Sequence, residues 1–186
     1  EESKVVKEQR RKAKTVNFGI IYGQTRFGLA STLGITPIEA AELIDKYHKT
    51  YPGLSSYTNK TLEAVQTQGW VETLWGRRRY LGAELNSRNA KIREFALRAA
   101  INAPLQGTSA DIIKIAMVDL REKLKNYSSR MILQIHDELV LEVLESELEE
   151  VKKLILNTMQ FNDKINNKLD VALKVDINIG KTWMEK

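Results

Sequence analysis

The chain has 186 residues, 42% hydrophobic and 28% charged, with no Cys and a net charge of +5. This composition supports a core and excludes a disordered, collagen-like or disulfide-built protein; no run approaches the ~18 apolar residues of a membrane span, and the opening Glu1-Glu2 reads as a fragment or processed chain rather than a signal peptide. Six basic residues lie between Lys4 and Lys14 and seven between Arg77 and Arg98, whereas Asp137 to Glu150 holds seven acids and no base. That asymmetry suits a polyanionic partner with a bound cation, while charge runs also serve as solvated helix faces.

In chain order, helical periodicity predicts a first helix from Glu2 to about Tyr22, with Val5, Ala13, Val16 and Ile20 on its apolar face and Gly23-Gln24-Thr25 at its end. A short helix follows over Arg26 to Leu33, stopped by Gly34. Thr36-Pro37-Ile38-Glu39 is a capping-box start for a helix running to about Tyr51, where Pro52-Gly53 breaks it, and another helix covers Ser55 to Gln68. Trp70 to Trp75 and Arg79-Tyr80-Leu81 flank Gly76-Arg77-Arg78, which reads as a hairpin with a basic turn. A helical stretch from Ser87 is predicted to break around Pro104 and Gly107 and to resume to about Asn126.

Met131 to Ile135 and Leu139 to Val143, separated by His136-Asp137-Glu138, predict a second hairpin. A helix over Ser146 to Gln160 and a strand over Ala172 to Ile179 complete the pattern, the strand being placed to join the hairpin in a small antiparallel sheet. The fold class is α+β. A boundary near Gly82 to Leu85 divides a helical part, residues 1–84, from a sheet-containing part, residues 85–186.

Three sets of residues can carry chemistry. Arg10, Lys14, Phe18 and Tyr22 recur every four positions, so successive side chains drift by only ~40° around a helix and grade from phosphate-binding cations to base-stacking rings. The same pattern also describes an ordinary amphipathic helix. Gln134-Ile135-His136-Asp137-Glu138 sets adjacent carboxylates at a hairpin tip, where a hard divalent cation finds oxygen ligands, although Asp is also a common turn former. Arg98, Asn102 and Gln106, again four apart, can reach sugar and minor-groove edges of a duplex, or instead cap and pack the helix around Pro104.

The segment from Arg10 to Gly23 resembles motif B, the nucleotide-binding helix of family A DNA polymerases, the bacterial DNA polymerase I type. Gln134-Ile135-His136-Asp137-Glu138-Leu139-Val140 is similar to motif C of that family, and Tyr51-Pro52-Gly53, Val71 to Leu74, Gly76 to Arg79 and Ala100 to Asp111 match it in order and spacing. The resemblance implies a fingers subdomain over 1–84 and the C-terminal part of a palm over 85–186. It implies that Arg10 and Lys14 bind the triphosphate of an incoming dNTP, with Lys14 also placed to protonate the pyrophosphate. Phe18 would lie against the sugar and Tyr22 near the templating base. Arg98, Asn102 and Gln106 would contact primer-template DNA, and His136 would sit by the primer terminus. Asp137 would be a catalytic metal ligand for Mg²⁺, with Glu138 a neighbouring carboxylate.

The implied reaction is attack of a primer 3′ oxygen on the α-phosphate with two Mg²⁺ ions. The family's motif A, which supplies the other metal-binding aspartate, is not found in these 186 residues, nor is there room for the thumb. The expectation is a polymerase fragment that is incomplete alone and whose partners include the N-terminal palm and thumb of its parent, with no membrane. A bacterial parent would place it in the cytoplasm at the nucleoid; an organelle is the other compartment compatible with it. The rival readings are a noncatalytic nucleic-acid-binding module and an assembly element.

Overall fold

The computed structural model describes residues 7–183, so the expected helix start at Glu2, with Lys4 and Val5, lies outside the described residues. The chain forms two compact units that divide between Gln106 and Gly107. The fold is an α+β mix of helices with two small antiparallel hairpins.

The first unit opens with α1 (Lys7–Ile21), α2 (Arg26–Leu33), α3 (Pro37–Thr50) and α4 (Pro52–Gln68). Local chemistry sets most of these ends. Thr25 accepts from the Gly28 amide, Thr36 and Glu39 form a reciprocal capping box, and Gly34 and Gly69 end their helices at φ +67° and +78°. Helix α4 begins at Pro52 rather than Ser55, because proline is well suited to the first helical position, where an amide hydrogen would be unpaired. Ile20, Leu29, Ala30 and Ala40 form one buried cluster, covered by Val16, Ile44, Tyr47 and other half-buried side chains. Ala13, expected on the apolar face of α1, is exposed.

Strands β1 (Trp70–Glu72) and β2 (Arg78–Tyr80) pair Trp70 with Tyr80, Val71 with Arg79 and Glu72 with Arg78. The connection is longer than the expected three residues, running from Thr73 to Arg77, because the buried Thr73 organises it: its Oγ1 accepts from the amides of Trp75 (3.3 Å) and Arg77 (3.2 Å). Arg78 therefore lies in a strand. Its guanidinium sits 3.9 Å from the centre of the Trp70 ring and its Nε is 3.5 Å from Glu72 Oε2, so part of the basic run is committed to holding the hairpin. After the short α5 (Gly82–Leu85), Asn89 Oδ1 accepts from the Lys91 amide at 3.0 Å, and α6 starts at Ala90, three residues later than Ser87.

Helix α6 (Ala90–Lys123) is unbroken through Pro104 and Gly107, contrary to the expected interruption. Proline removes one helical hydrogen bond and crowds the preceding turn. The carbonyl that loses its helical donor is that of Ala100; burial offsets the cost, Ala99 and Ala100 packing against Val65, Val71 and Leu81, and Tyr57 Oη, donating to the Ile101 carbonyl at 2.9 Å, ties this turn to α4. Burial raises the Tyr57 phenol above its ordinary pKa, so it remains a donor.

The second unit contains the end of α6, β3 (Arg130–Ile135), β4 (Glu138–Glu142), α7 (Leu148–Met159) and α8 (Asp163–Asn166). Leu139, Leu141 and Val143 alternate onto a core of Leu120, Leu124 and Val151, and the register shifts between Met131 and Leu133. Residues 172–179 do not form the expected strand. Leu173, Val175 and Ile177 are half-buried in alternation, but no ladder pairs this segment among the described residues, and the Val175 amide donates to Gln160 Oε1 at 3.1 Å. No described helix is long and apolar enough to cross a membrane.

Candidate functional site

In the first unit, α1, the turn that follows it and α6 border an open cleft of about 730 Å³ lined by Arg11, Lys14, Thr15, Phe18, Gly19, Tyr22, Gly23, Gln24, Thr25 and Arg98. Phe18 and Tyr22 stack with ring centroids 5.8 Å apart and planes 23° from parallel, making one aromatic wall. Lys14 and Arg11, one and two turns earlier, bring positive charge to that wall, and none of the lining residues is acidic. Gly23, at φ +69°, turns the chain out of α1; Arg98 Cγ and Ile101 Cδ1 lie close to it, which is how α6 reaches the cleft.

Lys14, Phe18, Tyr22 and Arg98 are thus brought together, whereas the exposed Arg10 does not line the cleft. Three steps of four residues accumulate ~120° of rotation between positions 10 and 22, enough to carry Arg10 off the face that holds Tyr22. The adjacent stripe, Arg11, Thr15 and Gly19, lines the cleft beside Lys14. Sequence reasoning missed Arg11 and Gln24; the same four-residue spacing read from position 11 identifies the first, while the second depends on the turn after α1.

Arg98, Asn102 and Gln106 follow one another on α6 within this unit. Arg98 is 4.0 Å from Glu94, Gln106 is exposed, and Asn102 Oδ1 is a buried acceptor without a hydrogen-bond partner. A buried polar atom left unpaired costs ~1–3 kcal/mol, so Asn102 carries a hydrogen-bonding capacity that the described fold does not use.

In the second unit, His136 and Asp137 form the two-residue turn between β3 and β4, with Ile135 paired to Glu138. His136 has φ +53°, the one non-glycine left-handed backbone among the described residues, and Gln134 Nε2 donates to its carbonyl at 2.6 Å. This bond closes the turn on itself and leaves His136, Asp137 and Glu138 exposed. Elsewhere in the acidic run, Glu142 bridges Arg130 at 2.7 Å, and Glu147 accepts from the amides of Ser128 and Ser129 (2.9 Å each) and from Ser129 Oγ (2.5 Å). These bonds, led by the Ser129 hydroxyl, hold the Glu147 carboxyl below its ordinary pKa.

No group of three or more His, Asp or Glu side chains able to hold a metal occurs among the described residues. The exposed carboxylates at the turn still fit a hard cation such as Mg²⁺, which commonly takes one or two protein carboxylates and fills its remaining positions with water and phosphate oxygens.

A cation-bearing aromatic cleft and a carboxylate-bearing hairpin, each on its own α+β unit, have the chemistry to hold a phosphorylated, ring-containing ligand and a divalent cation. The family described as DNA polymerase family A matches residues 1–185, and the chain belongs to that family. It is 48% identical over 183 residues to DNA polymerase I of Streptococcus pneumoniae serotype 4, covering 97% of this chain and 20% of that protein. It is 46% identical over 178 residues to the thermostable DNA polymerase I of Thermus filiformis, covering 96% of this chain and 21% of that protein. The POL domain of Pol1 from M. smegmatis, in a complex with DNA primer-template and dNTP, superposes with a TM-score of 0.89 at 39% identity, covering 97% of this chain and 31% of that one. The chain therefore spans about a fifth of the length of the curated relatives it matches.

Proposed function

We propose that this chain is the fingers subdomain (1–84) and C-terminal part of the palm (85–186) of a DNA-directed DNA polymerase that adds dNTPs to a primer 3′ end. The observation that carries the reading is the cleft in which Lys14, Phe18, Tyr22 and Arg98 converge; the M. smegmatis relative holding primer-template and dNTP supports it.

In this reading Lys14 within the cleft and the exposed Arg10, one turn before it on α1, hold the triphosphate as cationic donors, and Lys14 delivers a proton to the departing pyrophosphate. Phe18 packs against the sugar, and Tyr22, stacked behind it, covers the nascent base pair. Arg98, Asn102 and Gln106 hold primer-template DNA along α6, with the unpaired Asn102 Oδ1 able to accept a hydrogen bond there. His136 steadies the primer terminus. Asp137 would hold Mg²⁺, with Glu138 as a neighbouring carboxylate. When bound, Mg²⁺ stabilises negative charge on the phosphoryl oxygens.

The test is equilibrium binding of a fluorescent dNTP analogue to the full-length protein on a primer-template, with Lys14→Ala and Tyr22→Ala variants. Removing one charge-assisted contact of ~1.5–3 kcal/mol is expected to weaken binding by at least about tenfold for Lys14→Ala. Unchanged affinity in both variants would contradict the assignment of the cleft.

A further inference from the structure

One cleft-lining side chain without a role above is wedged between two helices. Gln24 follows Gly23 at the turn between α1 and α2, and its backbone amide donates to the Gly19 carbonyl at 2.8 Å. A methyl group on Gly28 would stand 3.0 Å from Gln24 Cγ and 3.2 Å from its Nε2, and one on Gly19 would collide with Gln24 Oε1. The side chain therefore fills the space that two glycines leave open, one on each helix.

The hydrogen bonds around it fix the orientation of the amide. Thr32 Oγ1 donates its single hydrogen to the Gly28 carbonyl at 2.8 Å, so it must accept from Gln24 Nε2, 3.0 Å away. Gln24 Oε1 is thereby turned toward Gly19 and the α1 wall.

We infer that Gln24 is a positioning residue for the nucleotide cleft: tied to Thr32 on α2 and seated against Gly19 on α1, it sets the spacing of the two helices and so the placement of the Phe18–Tyr22 wall. This rests on the proposed polymerase reading. A contact that merely stabilised the helix pair would lower the melting temperature of its variants without selectively changing substrate affinity.

The experiment is steady-state primer extension by the full-length protein, with KM for dNTP and kcat determined separately for Gln24→Ala, Gln24→Met and the double variant Gln24→Ala/Gly19→Ala. Gln24→Ala is expected to raise KM about three- to tenfold, the equivalent of ~0.7–1.4 kcal/mol, with a smaller change in kcat. Gln24→Met, which keeps the volume and loses the donor, should fall between Ala and the unmodified protein. The double variant should recover part of the lost affinity, because the new methyl enters the vacated space. An unchanged KM in Gln24→Ala, with or without a lower melting temperature, would overturn the inference, as would a double variant with a KM higher than that of Gln24→Ala. Absence of nucleotide incorporation by the unmodified protein is a separate outcome, which defeats the polymerase reading and this inference with it.

Discussion

Replacing Gly23 by Ala perturbs the turn on which the cleft depends. The structure separates two sources of cost. A methyl there would lie 3.5 Å from Arg98 Cγ and 3.8 Å from Ile101 Cδ1, ordinary contact distances, so crowding contributes little. The backbone is the obstacle: φ is +69°, and an L-residue in the left-handed region costs roughly 1–2 kcal/mol. Gly53 provides the control. It lies in the first turn of α4, is not among the positive-φ glycines, and has nothing within 4 Å of an added methyl. Gly53→Ala should therefore stabilise by ~0.4–1 kcal/mol through the unfolded chain. Urea unfolding followed by circular dichroism gives both signs, and amide exchange at Gln24 and Leu29 locates the loss, since the Gln24 amide bonds to Gly19 across the turn and the Leu29 amide bonds to Thr25 in the first turn of α2 that follows it. Gly23→Ala is expected to lose ~1–2 kcal/mol and to accelerate exchange at those amides. Equal stability of Gly23→Ala and the parent, or equal destabilisation by both variants, would refute this reasoning.

Three further outcomes follow from the second unit. Glu147 and Asp119 are both held below the ordinary carboxylate range, Glu147 first by the Ser129 hydroxyl and Asp119 first by its bond to Lys164 and then by Asn162. A depressed folded-state pKa gives stability that is full above the unfolded value and lost as pH falls through the folded one. Urea midpoints should accordingly drop on the acid side, and Glu147→Gln should lower the neutral-pH midpoint while flattening that drop; an unchanged slope would remove Glu147 from the account. Gln134→Ala should destabilise the β3–β4 hairpin by ~0.5–1.5 kcal/mol through loss of its bond to the His136 carbonyl, measured by amide exchange at Glu138. His136→Gly should recover stability in that background by relieving the left-handed backbone, and failure to do so would mean that the turn is held by something other than this pair.

The features legible in the sequence were those set by neighbours a few residues apart. Thr36 to Glu39 announces its capping box, Gly34 its helix end, and the apolar alternation around His136-Asp137 its hairpin. The helix through Pro104 was not legible because its local penalty is offset by residues distant in sequence, Val65, Val71 and Leu81, on which the alanine face packs. Residues 172–179 misled because alternation specifies an extended chain but not a pairing strand. At the cleft, the α1 spacing brings Lys14, Phe18 and Tyr22 into one set; the presence of Arg11 in the lining follows from helix drift, and the entry of Arg98 and Gln24 from the geometry of the Gly23 turn.

The central claim, that this chain supplies a metal-binding carboxylate and a nucleotide cleft to a DNA polymerase, is tested most directly by primer extension with Mg²⁺ and dNTPs. The full-length protein carrying this chain should extend the primer, and Asp137→Ala should lose extension while still binding primer-template DNA. Extension by Asp137→Ala at the unmodified rate would contradict the account.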